Sequence, residues 1–149
     1  MQKVEHVAAR PLATIGTRFL SLVIDTLVLA VLRLALMLLL APQSLAAELL
    51  AAFVLDIATT VPYYWYFWTR RGGQTPGKSL LRIRVIGVDG ELLTDRAALL
   101  RVLGYYLGQM SLGLGFVWAA FDRDQQGWHD KLARSLVVTS DEPARIFPQ

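Results

Sequence analysis

Two long apolar runs decide what this chain can fold into. The first extends from Ile15 to Ala41, IGTRFLSLVIDTLVLAVLRLALMLLLA, and the second from about Ala46 to Trp68. As a helix the first is roughly 40 Å long at about 1.5 Å per residue, enough to cross a bilayer with some tilt. It exceeds the roughly 7–15-residue apolar core of a cleaved signal peptide. Asp25 and Arg33 also argue against processing near Ser44-Leu45-Ala46, so a retained helix is expected. After the short link Pro42-Gln43-Ser44-Leu45, the second run closes in Tyr63-Tyr64-Trp65-Tyr66-Phe67-Trp68 and Arg70-Arg71. Aromatic rings followed by arginines mark a headgroup boundary. A third apolar stretch, Ala97 to Phe121, is interrupted by Gly113-Leu114-Gly115. Its Gly104, Gly108, Ser111 and Gly115 form a small-residue stripe suited to close helix packing.

Composition agrees with a membrane setting. Of 149 residues, 54% are hydrophobic and 18% charged, below the roughly 25% usual in soluble domains. A single domain of this size cannot hide that much apolar surface from water. The net charge of +3 is too thin and scattered to indicate nucleic acid. With no cysteine, disulfides, thiolate catalysis and Cys-ligated zinc are excluded.

Basic residues set the expected orientation. The first link has none, the N-terminal flank has Lys3 and Arg10, and segment 69–96 has six. That places the N-terminus and the 69–96 loop in the cytoplasm. Within the loop, Leu81-Arg82-Ile83-Arg84-Val85 alternates and Asp89-Gly90 is a hairpin turn. Ser135-Leu136-Val137-Val138-Thr139 reads as a second strand, in the polar tail 122–149. The two can pair only if the third stretch re-enters and turns back at Gly113–Gly115; a single crossing would leave the tail outside. The expected fold is an all-α membrane protein, with spans near 15–41 and 46–68. Segment 97–121 adds a third transmembrane helix or a re-entrant helical hairpin, and a small cytoplasmic β element completes the chain.

Charges inside the apolar runs are candidates for function, because each costs roughly 2.5–3.5 kcal/mol at mid-bilayer on insertion scales. Arg18, Ser21, Asp25 and Arg33 share roughly one face of the first helix. Asp56, Thr59, Thr60 and Tyr63 form a similar stripe on the second. Folding the helices about Pro42–Leu45 leaves Arg33 within about a turn of Asp56 and Asp25 opposite Pro62. Proline frees the carbonyl of Ala58. Asp25, that carbonyl and Thr59 or Thr60 would then make an oxygen-rich pocket for a proton or a hard cation. A structural pair that fixes helix register is the competing reading of Arg33–Asp56. Asp25, with no evident partner, is a candidate titratable site.

Other motifs fail on context. Gly72-Gly73-Gln74-Thr75-Pro76-Gly77-Lys78-Ser79 matches a phosphate loop, yet a membrane helix precedes it and a basic strand follows. Asp122-Arg123-Asp124-Gln125-Gln126-Gly127 starts like a calcium loop but reaches Ala133 where glutamate is required. His129-Asp130 offers two metal ligands with no third in view. No catalytic residue, metal or cofactor is expected, and no enzyme. Lys78, Arg82 and Arg84 lie under the membrane and would meet anionic lipid headgroups, or merely set topology.

Three blocks carry a resemblance: Arg18-Phe19-Leu20-Ser21-Leu22-Val23-Ile24-Asp25; Gly73-Gln74-Thr75-Pro76-Gly77-Lys78 with Leu81-Arg82-Ile83-Arg84-Val85; and Gln126-Gly127-Trp128-His129-Asp130-Lys131-Leu132-Ala133. The chain resembles the RDD family of small bacterial membrane proteins over about residues 13–139. The resemblance implies that Arg18, Asp25 and Asp130 are the name-giving residues, with Asp122 competing for the last. Trp128 and Arg134 depart from the leucine and glycine usual there. It also accounts for the phosphate-loop match, and it implies a location in the bacterial inner membrane with suggested roles in transport.

The first functional expectation is proton-coupled exchange of a small cation such as Na+, along a path between protomers of a homo-oligomer. Asp25, Asp56, Thr59 and Thr60 would bind the ion or proton, and Arg18, Asp25, Asp130 and Arg33 would form a gating network. The alternative is a non-catalytic module binding a lipid or protein partner through the small-residue stripe and the basic loop.

Overall fold

A computed structural model describes residues 11–140. The basic N-terminal flank of Lys3 and Arg10 and the last part of the polar tail lie outside the described residues. The chain is mostly helical, with two helices far longer than the rest: α1 (Ile15–Leu40) and α2 (Leu45–Arg70). Thr14 starts α1 by accepting from the Thr17 amide (3.2 Å), and Ser44 starts α2 by accepting from Ala47 (3.3 Å). Between them Ala41 takes a left-handed conformation, φ 40°, ahead of Pro42. These short, capped joints make the pair an antiparallel hairpin.

Only 11% of the apolar window of each long helix is buried. Leu34, Leu38, Leu39, Leu45, Leu49 and Phe53 all point outward around the hairpin tip. A core helix of a soluble protein would bury such a face, so this pattern belongs to helices surrounded by lipid.

The other end of the hairpin carries the packed body. After α2 the chain turns through Gly72 and Gly73, φ 67° and 75°. A Cβ on Gly73 would collide with the carbonyl of Val85, whose amide in turn bonds Gly73 O at 2.9 Å. Thr75 then caps the one-turn helix α3 (Pro76–Leu80), with proline at the first helical position where its missing N–H costs nothing. Strand β1 (Ile83–Gly87) follows, two residues later than the expected 81–85 strand. Leu81 and Arg82 are spent on leaving α3: Arg82 has φ 53° and bonds back to Ser79 O at 3.2 Å.

The Asp89-Gly90 turn forms, with Gly90 N donating to Gly87 O at 2.9 Å, but among the described residues no strand returns beside β1 from it. Instead β1 pairs antiparallel with β2 (Ser135–Thr139), in register Ile83↔Thr139 to Gly87↔Ser135. Leu12 bridges Val138 on the opposite edge, where Ala13 N donates to Val137 O at 2.9 Å. Three distant segments therefore meet at one small sheet.

The third apolar stretch is not a continuous span. Helix α4 (Asp95–Met110) has 16 residues, short of the roughly 20 a crossing needs. It stops at Ser111, and the chain reverses through Leu112 and Gly113, φ 55° and 85°. The reversal thus reaches into the expected Gly113–Gly115 break at Gly113, with the helix ending just before it. A four-residue helix α5 (Leu114–Val117) and a 3-10 turn (Trp118–Ala120) come back along α4, followed by α6 (Trp128–Ala133) and β2. Because β1 and β2 are hydrogen-bonded, the segment between them starts and ends on one side. A single crossing that separates the tail from the middle loop is therefore ruled out.

Candidate functional site

The polar face of α1 is the spine of the site, and each of its polar residues meets a different part of the chain. Asp25 is fully buried. Its Oδ1 accepts from the Tyr63 hydroxyl (2.8 Å) and the Gly77 amide (2.8 Å), and its Oδ2 accepts from Thr75 Oγ1 (2.5 Å). Thr75 does double duty, since the same oxygen caps α3 by accepting from the Lys78 amide (3.4 Å). A Cβ on Gly77 would lie 2.9 Å from Asp25 Oδ1 and closer still to the Ser21 carbonyl. Only glycine lets the loop approach this closely.

This corrects the expected oxygen-rich pocket. Thr59 and Thr60 do not face Asp25, and Asp25 does not lack partners. Both threonines turn instead to Arg33: its Nε donates to Thr59 Oγ1 at 2.9 Å and its NH2 group to Thr60 Oγ1. The same guanidinium pairs with Asp56 Oδ1 at 2.8 Å, while Tyr106 donates to Asp56 Oδ2 at 2.7 Å. The physical reason is donor supply. Five guanidinium N–H groups in an apolar setting draw every nearby acceptor, whereas Asp25 finds its donors in the loop that presses in from residues 75–77.

Near the start of α1, Arg18 reaches Asp130 of α6 at 3.6 Å. It also donates from Nε to Ala13 O (3.0 Å) and from its terminal nitrogens to Gln125 O (2.5 Å) and Val137 O (3.1 Å). Asp130 is shared with Arg101 of α4, and both are 1% exposed. His129 Nε2 lies 3.3 Å from Asp130 Oδ2, which also receives the Gly127 amide at 3.0 Å. Burial alone would raise the Asp130 carboxyl, but the Arg101 charge, the hydrogen bond from His129 and Arg18 together hold it well below the carboxylate range. Burial pushes His129 below its ordinary value, only partly opposed by Asp130. Asp122, the competing aspartate, binds Lys131 and the Gln126 amide (3.1 Å) away from this cluster. Arg101 was not among the sequence candidates. The signal for it was a lone charge in an apolar run, the same signal that marked Asp25.

Lys78 overturns one expectation outright. It is 3% exposed and does not lie at the surface where it could meet the headgroups of the bilayer. The loop folds under α1, placing Nζ 3.3 Å from Ser21 Oγ. Burial lowers its pKa to about 8, although Asp25 opposes the shift. Arg82 is exposed, and Arg84 is half-buried with its guanidinium on Ser140 Oγ at 2.6 Å and 3.1 Å.

Around these charges Trp68 stacks on Tyr64 (centroids 4.7 Å) and takes the Arg101 guanidinium over its ring at 5.0 Å. Tyr105 meets His129 edge-on at 4.7 Å. Beside this aromatic wall, between α1 and the returning α5 segment, opens a cavity of about 530 Å³. Its walls include Ile15, Phe19, Leu22, Phe116, Val117 and Val137; Arg18, Lys78, Arg101, His129 and Asp130 also reach it. Phe19 and Val117 are in its lining and remain largely exposed.

The small-residue stripe is consumed within the chain. A Cβ on Gly104 would lie 2.5 Å from His129 Cα, one on Gly108 3.0 Å from the Phe116 ring, and one on Gly115 3.0 Å from Gly108 Cα. It is where α5 and α6 pack on α4, not a face for another molecule. Among the described residues no three His, Asp or Glu side chains gather as metal ligands.

The model of the RDD family matches residues 12–134, most of the chain. No curated protein and no solved structure matches.

Proposed function

The chain belongs to the RDD family, and on that premise we propose a non-catalytic membrane module that takes a lipid-like molecule into the cavity between α1 and α5. The observation that carries this reading is the cavity's chemistry: about 530 Å³, within the range of single-ligand pockets, with largely apolar walls and Arg18, Lys78, Arg101, His129 and Asp130 in its lining. Phe19 and Val117, both in its lining, are also exposed at the protein surface. A chain in the surrounding bilayer can enter without crossing water. In this reading the protein is a multi-pass protein of the bacterial inner membrane, with the N-terminus and sheet cytoplasmic, as the basic residues of 69–96 favour. The outward row Leu99, Leu103, Leu107 and Met110 of α4 is sunk in the same leaflet.

The test is retention. Wild type and Val117→Trp, which fills the cavity mouth, are extracted in mild detergent and their bound amphiphiles identified by mass spectrometry. A chain-bearing molecule retained at about one per protein in wild type and lost in Val117→Trp is the expected result. Equal retention in both overturns it.

Proton-coupled cation exchange is the second reading, supported by a buried carboxylate, Asp25, inside the first span. Against it, both oxygens of that carboxylate are already occupied by Tyr63, Thr75 and Gly77. Proteoliposomes with imposed Na+, Li+ or K+ gradients and an internal pH dye decide it, with Asp25→Asn and Asp56→Asn beside wild type. A cation-selective signal abolished by Asp25→Asn would establish exchange, through protomers of a homo-oligomer if single chains enclose no path.

A further inference from the structure

The charges that reach the cavity do not balance. Arg18, Lys78 and Arg101 contribute three cations; Asp130 and the adjoining Asp25 contribute two anions; His129 is held neutral by burial. Unused donors show where the surplus lies. Every donor-bearing nitrogen of Arg18 has an acceptor in Ala13, Gln125, Asp130 or Val137. Arg101 pairs with Asp130 and Ser135 through one terminal nitrogen, but its buried Nε has no acceptor. Lys78 has three donor positions and its ammonium meets one neutral oxygen, Ser21 Oγ, whose own proton goes to Arg18 O at 2.7 Å. Among the described residues no carboxylate lies within ion-pair distance of Nζ. An ammonium left this poorly paired in an apolar enclosure is unfavourable until an anion joins it.

We propose that the cavity's ligand is a single-chain amphiphile with a carboxylate head, a fatty acid, and that the Lys78 ammonium is its counter-charge. This rests on the cavity reading above and adds the head group to it. One negative charge restores balance, and two carboxylate oxygens match an ammonium with two open donors. A phosphate monoester carries about −1.5 to −2 and would overshoot. The walls of Ile15, Phe19, Leu22, Phe116 and Val117 take the chain.

Binding of three fluorescent probes with one common chain tests this on the full chain in neutral detergent: the acid, the matched alcohol and the phosphate monoester. The acid is expected to bind wild type at least tenfold more tightly than the other two. Lys78→Gln should bring the acid down to the alcohol's affinity, Lys78→Arg should keep the preference, and Val117→Trp should lose all three probes. Equal binding of acid and alcohol by wild type, tighter binding of the phosphate, or a preference that survives Lys78→Gln would overturn the head-group assignment alone. Binding of no probe by wild type would overturn the cavity reading with it.

A second readout needs no variant. Titrations at pH 8.5 in two buffers of different ionisation enthalpy should reveal proton uptake as the acid binds, and none with the alcohol. The charged and titratable groups facing Lys78 are Asp25 and Arg18 of α1, Arg101 of α4, and His129 and Asp130 of α6. Lys78, lowered by burial to about 8, is poised to take up that proton when an anion joins it. Absence of uptake on acid binding counts against the assignment.

Discussion

The amide of Gly77 donates to Oδ1 of Asp25 at 2.8 Å, joining two residues 52 positions apart. Through this bond the 73–78 loop is locked against the first membrane helix, and Tyr63 brings the second helix to the same carboxylate. Asp25→Ala would leave the Tyr63 and Thr75 hydroxyls and the Gly77 amide without their acceptor. At about 1–3 kcal/mol for each orphaned buried donor, the loss is about 3 kcal/mol or more. Thermal unfolding in detergent should show a large fall in Tm, with Asp25→Asn intermediate because it keeps one carbonyl oxygen. Gly77→Ala should also lower Tm, since its methyl group runs into Ser21 O and Asp25. An unchanged Tm in Asp25→Ala would mean that this lock does not hold the fold.

The hairpin of long helices was legible from its apolar runs, and so was the Arg33–Asp56 pair, because folding about Pro42–Leu45 fixes depth along two straight rods. The environment of Asp25 was not. Its partners Thr75 and Gly77 arrive on a loop, and no periodicity states where a loop comes to rest. Tyr63 was only one residue from the position expected opposite Asp25, yet the direction of its hydroxyl depends on packing. Lys78 was misplaced for the same reason: a lysine in a basic loop normally points to water, and this one is drawn under α1 by the capping of α3. The glycine stripe was correctly recognised as a packing face, but its partner proved to be the next thirty residues of the same chain.

Arg101 and Asp130 form a buried pair, and removing both members should cost less than the sum of removing each. Arg101→Met leaves Asp130 with Arg18 at 3.6 Å, His129 and the Gly127 amide, while Asp130→Asn leaves the Arg101 guanidinium facing Trp68 and Ser135. Each single change is expected to cost about 3–5 kcal/mol. The double variant should be less destabilised than the sum by about 1–3 kcal/mol. Strict additivity in a thermal or denaturant cycle would show that the two charges do not depend on each other.

Trp118, at the start of the 3-10 turn after α5, reports whether the segment returning from α4 enters the bilayer. It is half exposed, beside Val117 and Phe121, which also point outward. With Trp65, Trp68 and Trp128 replaced by phenylalanine, its emission in liposomes should be quenched by lipids brominated along their chains. Quenching by any bromine position places this segment in the bilayer. At about 1.5 Å per residue the 16-residue α4 is about 24 Å long, too short to carry the turn across a core of about 30 Å. Quenching by aqueous iodide instead would put the turn in water.

Lys78 gives stability a pH dependence whose sign is opposite to that of a salt-bridged lysine. Its pKa is 10.5 when unfolded and about 8 when buried in the fold. Between these values the unfolded chain holds more protons, so unfolding free energy rises with pH across that window. Below pH 8 the folded state bears the full penalty, about 3 kcal/mol at about 1.4 kcal/mol per pKa unit. Wild-type Tm, measured free of added amphiphile, should therefore climb from pH 8 to pH 9.5. Lys78→Met, which removes the buried charge, should start higher at pH 7.5 and show a flatter profile over the same range. On the acid side His129 acts in the same sense: burial lowers its folded pKa below 6.5, so stability falls as pH drops through 6.5. A wild-type Tm that declines between pH 8 and 9.5 in step with Lys78→Met would show that the ammonium is already well compensated in the empty cavity.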